Sequence, residues 1–153
     1  LDTFDVVFAS YGVLPWLPDL RAWARAIAGV LRPGGSLHLV EFHPLAGMLN
    51  DDGRSLGHPY FHSATPQEYD VAGSYADPNA PFSHQAFEWA HSLSEVLTAL
   101  MVAGMTILEF REFPYSPYGC FPFLEESEPG RWTVRGARVE LPLVFSVHVR
   151  KGG

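Results

Sequence analysis

Residues 31–44 read LRPGGSLHLVEFHP, and the organisation of the chain follows from them. Pro33-Gly34-Gly35 is a helix-stop signal, because proline cannot continue a helix and glycine tolerates the left-handed turn that ends one. Residues 36–42, SLHLVEF, then alternate as a strand does. Upstream, Leu20, Trp23, Ile27, Val30 and Leu31 recur every three or four residues, a helical apolar stripe, with Asp19 placed to cap it. Before that helix, Phe4-Asp5-Val6-Val7-Phe8-Ala9-Ser10 is nearly continuously apolar, the pattern of a strand buried on both faces. Strand, helix and strand within about forty residues predict two parallel strands joined by a right-handed crossover.

Downstream, periodicity lapses between residues 44 and 91. This stretch carries seven aromatics, four of the seven histidines, six carboxylates and a single cation, Arg54. It is expected to be a lid-like insert, because a linker would be rich in Gly and Ser instead. Regular structure resumes with the S-x-x-E capping box of Ser92 and Glu95. Leu93, Val96, Leu97, Leu100 and Met101 form a buried helical stripe that Gly104 closes. A strand is expected over 106–113, an irregular segment over 114–140, and a final strand over 141–149 pairing antiparallel with the one before it. The chain thus reads as a single, partial α/β domain, 1–153, with an insert at about 44–91. Its class is a Rossmann-like, partly parallel sheet with flanking helices and a C-terminal antiparallel strand pair.

Composition narrows the function. Ten Lys+Arg against 17 Asp+Glu give a net charge of −7, and Lys151 is the only lysine. Such a chain is a poor polyanion binder, so nucleic acid is not an expected partner. No apolar run reaches the ~18 residues of a membrane span, and no signal peptide is visible, so neither a membrane nor export is expected. The single cysteine, Cys120, permits no intrachain disulfide, which fits a reducing, cytoplasmic compartment.

The order of elements resembles the second half of a class I S-adenosylmethionine-dependent methyltransferase. The resemblance rests on FDVVFASYGVLPWLPD (4–19), LRPGGSLHLVEFHP (31–44), and the tail from Ser92 through Gly104 to LPLVFSVHVRK (141–151). It implies S-adenosylmethionine as cofactor and methyl transfer as activity. The family's Gly-rich turn after a first strand does not occur here. Leu1 is not an initiator methionine either, so the cofactor half is expected to lie outside this chain. That half, or a partner chain, is expected along the strand at residues 4–10. The competing reading is a non-catalytic half-fold that serves as a binding or assembly module.

Ligands of open parallel sheets bind beyond the carboxyl ends of the strands. The resemblance therefore assigns Ser10, Tyr11, Gly12 and Val13 to the methionine end of the cofactor. This loop lacks the [DNS]-P-P-[YFW] signature of amino-directed DNA methyltransferases, so a small-molecule acceptor is expected. Glu41 and His43 end the second strand on one face and are the expected catalytic pair, His43 as a base for an acceptor that must lose a proton. Trp16, Tyr60, Tyr75, Trp89 and Tyr115 are the expected acceptor-binding aromatics. His58 and His62 have i, i+4 spacing, but without a carboxylate between them and with Pro59 intervening, no metal site is expected.

Overall fold

The computed structural model describes residues 3–74, 77 and 79–153. Its central sheet has four strands in the order β1-β2-β8-β5: β1 (Phe4–Ser10), β2 (Leu31–Phe42), β8 (Val144–Lys151) and β5 (Met105–Phe113). β1 and β2 run parallel, and β8 lies antiparallel to both of its neighbours. Helices α1 (Leu20–Val30) and α3 (Leu93–Val102) pack together on one face of this sheet. Leu20 and Ala24 from α1 and Val96, Ala99 and Leu100 from α3 meet Leu37, Leu39, Phe145, Val147 and Val149 there. This is the expected α/β class, with its C-terminal antiparallel pair.

Both helix caps act as their sequences imply. The Asp19 carboxylate accepts the Ala22 N–H at 2.9 Å, and the Ser92 hydroxyl accepts the Glu95 N–H at 3.2 Å. The capping box is only half made, however, because the Glu95 carboxylate contacts His91. Gly104, at φ +83°, turns the chain out of α3. Met101 lies on the exposed side of that helix, outside the expected stripe, and Ala99 takes a buried place instead.

Several expectations change. Helix α1 ends at Val30, before the Pro-Gly-Gly segment, and Leu31 is already paired with Phe4. Val6 next pairs with Ser36, so residues 32–35 are looped out of the parallel ladder. Gly34 supplies the positive φ of that bulge. Gly35 is needed because a Cβ there would sit 3.0 Å from the Phe4 carbonyl oxygen. The segment is therefore a bulge inside a strand, not a helix cap. Lys151 donates to the Leu31 carbonyl at 2.7 Å, tying the last strand to this corner.

The two irregular segments contain hairpins. β3 (Gln67–Ala72) pairs antiparallel with β4 (Ser83–Glu88) inside the insert, after a one-turn helix α2 (Pro44–Gly47). β6 (Leu124–Glu128) pairs with β7 (Arg131–Val134), which places Glu125, Glu126 and Glu128 on a solvated strand. The last strand starts at Val144 rather than residue 141, because Pro142 has no N–H to give to a ladder. β1 is buried on one face only: Val7 and Ala9 pack on the core, whereas Phe4, Val6 and Phe8 are exposed. Among the described residues no helix is long and apolar enough to cross a membrane.

Candidate active-site cleft

The turn that follows β1 is held by one side chain. Tyr11 and Gly12 both have positive φ, 49° and 90°, which swings successive backbone N–H groups to one side. Gly12 and Val13 donate to the two carboxylate oxygens of Glu41 at 2.5 and 2.7 Å, Leu14 donates at 3.2 Å, and Phe42 adds a fourth bond at 2.8 Å. Glu41 itself is 2% exposed. A buried carboxylate needs this kind of compensation, and buried N–H groups need an acceptor. The end of β2 thus sets the shape of the loop after β1, and both Glu41 oxygens are committed to that task.

His43 is the next inward residue. Its backbone N–H donates to the Leu143 carbonyl at 2.9 Å. Its Nδ1 accepts the Leu45 N–H at 3.1 Å, capping α2, and its Nε2 lies 2.9 Å from Glu112 Oε1. Burial holds the imidazole below its ordinary pKa, opposed by the Glu112 carboxylate. Nδ1 accepts, so Nε2 carries the proton donated to Glu112, and the ring has no free lone pair to offer an acceptor molecule. This corrects the expectation of a catalytic base. His43→Asn would keep an N-cap acceptor. We expect it to fold as the wild type does, which circular dichroism checks. The stability profile supplies a second readout. A group whose folded pKa lies below its unfolded value of about 6.5 contributes stability above that pH and loses it as pH falls through the folded value. Urea unfolding between pH 7.5 and 5 should therefore be less pH-sensitive in His43→Asn.

Above these residues, beyond the carboxyl ends of β1 and β2, opens a cavity of about 1140 Å³. Its walls come from the 11–16 turn, the end of β2, the β3–β4 hairpin and residues 118–123. Aromatic rings line one side: Phe42 packs 5.7 Å from Tyr11, 5.9 Å from Tyr118 and 5.5 Å from Phe121. The hairpin side is polar. His58 Nδ1 lies 3.1 Å from Gln67 Oε1, and Tyr69 donates to the same oxygen at 3.2 Å. Burial raises the Glu88 carboxyl above its ordinary pKa, against the opposing effect of His58, and raises the Tyr69 phenol as well. A second depression, about 270 Å³ at residues 126–129, is only a shallow acidic turn.

Solved structures share this architecture. The chain aligns over 99% of its length with a putative S-adenosylmethionine-dependent methyltransferase from Listeria monocytogenes, at TM-score 0.57 and 13% identity. It aligns over 98% with an S-adenosylmethionine-dependent methyltransferase from Mesorhizobium loti, at 0.54 and 14%. It aligns over 99% with the glycopeptide N-methyltransferase MtfA in complex with S-adenosylmethionine, at 0.52 and 18%. The chain has a class I methyltransferase-like fold. It spans 63%, 62% and 55% of the length of those three proteins, respectively. No protein-family model and no curated protein sequence matches it.

Within this methyltransferase-like fold, the expected site residues separate. Tyr11, Gly12, Trp16, Glu41, His43 and Trp89 all line the cavity, and the Trp89 N–H donates to the Pro15 carbonyl at 2.8 Å. Ser10 and Val13 do not line it. The expected aromatic set is not assembled. Tyr60 packs against Phe61, and Tyr115 lies under Arg131 and against Phe113, both away from the cavity. Tyr75 lies outside the described residues. Phe42, Tyr118, Phe121, Tyr69 and Glu88 were not singled out from the sequence. Alternation in Tyr69-Asp-Val71 was a signal for the hairpin, but nothing local shows that Phe42 and Tyr118 meet.

Proposed function

We propose that this chain forms the acceptor-side wall of an S-adenosylmethionine-dependent methyltransferase that acts on a small molecule. The observation that carries the reading is the aromatic cleft beyond the carboxyl ends of β1 and β2 in a class I methyltransferase-like fold. The cofactor would supply an activated methyl group on a sulfonium. Tyr11 and Phe42 suit the methionine end, because aromatic faces attract a cation that has left water. Glu41 acts here as a positioning residue that shapes the 11–14 turn. Trp16 and Trp89 offer flat apolar faces to an acceptor. Glu88, half-buried with a raised pKa, is the cavity group suited to accept an acceptor's proton or pair with its amine. The nucleoside end of the cofactor finds no Gly-rich strand–turn within these residues. We assign it to a segment or partner covering β1.

That same lack of a Gly-rich turn favours a second reading, a non-catalytic half-fold used in binding or assembly. Calorimetric titration of S-adenosylmethionine into the intact protein separates the two. The methyltransferase reading expects saturable micromolar binding, weakened about tenfold by Tyr11→Ala through loss of the ring contact. No binding to the intact protein overturns it in favour of the assembly module.

A further inference from the structure

His62, His91 and Glu95 converge where the insert passes the N-terminus of α3. One ligand-capable atom from each lies within 4.8 Å of the others. His91 is buried, Glu95 half-buried and His62 exposed. His91 Nε2 lies 2.8 Å from the Leu17 carbonyl oxygen, which can only accept, so that nitrogen carries a proton. In a neutral ring Nδ1 is then a bare lone pair, yet it faces Glu95 Oε2 at 3.2 Å. Two bare acceptors at that distance need something between them, either a bridging proton or a metal ion.

Three features favour a metal. A backbone carbonyl that receives one ring N–H fixes the tautomer and orientation of a ligating histidine, and His91 has this arrangement through Leu17. The His91–Glu95 separation of 3.2 Å falls just short of the spacing of ligand atoms in a tetrahedral zinc site, about 3.3–3.5 Å for bonds of about 2.0–2.2 Å, so a small opening of this pair admits an ion. His62 brings a third donor. Its ring now stacks on that of His91, 5.0 Å between centroids and 11° between planes, so it must turn about its side-chain bonds to aim a nitrogen at an ion beside His91 Nδ1. It makes no hydrogen bond to the described residues through its ring nitrogens. Because it is exposed, its ring can close the remaining gap at small energetic cost.

We infer that His62, His91 and Glu95 form a divalent transition-metal site, of a donor set suited to Zn²⁺, that clasps the insert to the start of α3. Two imidazoles and one carboxylate leave a fourth position for water. His91 also lines the cleft, whereas His62 and Glu95 do not, so the ion would sit in the wall of the cleft rather than at its centre. Its effect is to hold residue 62 of the insert against a helix that belongs to the core.

The test uses the intact protein, stripped with a chelator and titrated with Zn²⁺ by calorimetry and with Co²⁺ by visible absorption. We expect one saturable Zn²⁺ site and the intense Co²⁺ bands of a four-coordinate ion. His62→Ala and Glu95→Gln should each weaken Zn²⁺ at least about 100-fold, beyond the 10–100-fold seen for losing a group that merely supports a ligand. His62→Ala leaves the Leu17 contact, the His91–Glu95 contact and the Ser92 cap in place, so its metal-free thermal midpoint should match wild type. His91→Ala is a poorer test, because it also strands a carbonyl. His38 and His148 stack 4.1 Å apart on the sheet and are the rival imidazole pair, so His38→Ala should leave the affinity unchanged. Zn²⁺ binding that is absent, survives His62→Ala, or vanishes in His38→Ala overturns the site. The His91–Glu95 contact is then bridged by a proton alone. None of these readouts depends on cofactor binding or methyl transfer.

Discussion

Glu41→Gln is expected to destabilise the protein by roughly 3–5 kcal/mol, a large loss for a single isosteric change. The carboxylate accepts four backbone N–H groups, three of them from the turn after β1. An amide keeps one acceptor oxygen and turns two donors toward groups that are themselves donors. Each buried N–H left without an acceptor costs about 1–3 kcal/mol. The damage should be local first. The positive φ of Tyr11 is unfavourable for a side chain with a Cβ, and it persists because the carboxylate draws the following amides inward. Released, the turn should relax and carry Tyr11 away from Phe42. Equilibrium urea unfolding measures the stability, and, on the methyltransferase reading proposed above, titration with S-adenosylmethionine reports on the turn. A loss under about 1 kcal/mol with unchanged binding would show that the turn holds its shape without Glu41.

Residues 1–153 expressed alone are expected to self-associate at micromolar concentration. β1 is an edge strand of the sheet, paired to β2 on one side. Its outward face carries Phe4, Val6 and Phe8, which are 54%, 55% and 65% exposed. Returning a half-exposed apolar side chain to an apolar environment is worth about 1 kcal/mol, so roughly 3 kcal/mol per chain favours covering this strip. The open ladder edge adds backbone donors and acceptors that a second strand can use, and neither Pro nor Lys interrupts it. The Arg32–Asp5 ion pair at this edge is solvent-exposed and contributes little. Light scattering coupled to size exclusion should show dimers or larger species, and Val6→Lys with Phe8→Lys should shift them to monomer. A monomeric wild-type chain that unfolds cooperatively would mean that this face needs no cover. On the reading proposed above, this strip would be covered by the segment or partner that holds the nucleoside end of the cofactor.

The sequence by itself determined the local elements of this protein and hence its class. The strand at Phe4–Ser10, helix α1 with its Asp19 cap, and helix α3 between its Ser92 cap and Gly104 were legible, as was the antiparallel final strand. Each is written in a pattern that repeats within a few residues, because the helical and extended backbones bury one side at fixed periods. The hairpins were less legible. β3 and β6 are short, polar and partly solvated, so burial imposes only a faint alternation on them. Tertiary structure alone decided which residues meet in the cleft and which atoms stay free there. Glu41 looked like a catalytic carboxylate at the mouth of a strand until amides 27–29 residues away closed around it. His43 looked like a free base until Glu112, 69 residues on, took one nitrogen and α2 the other. Tyr60 and Tyr115 were assigned to the cleft by composition, yet their backbones carry them elsewhere, while Phe42 and Tyr118 meet across it. A side chain's chemistry depends on which partners reach its atoms. Those partners arrive from distant segments only when the sheet has brought its strand ends together.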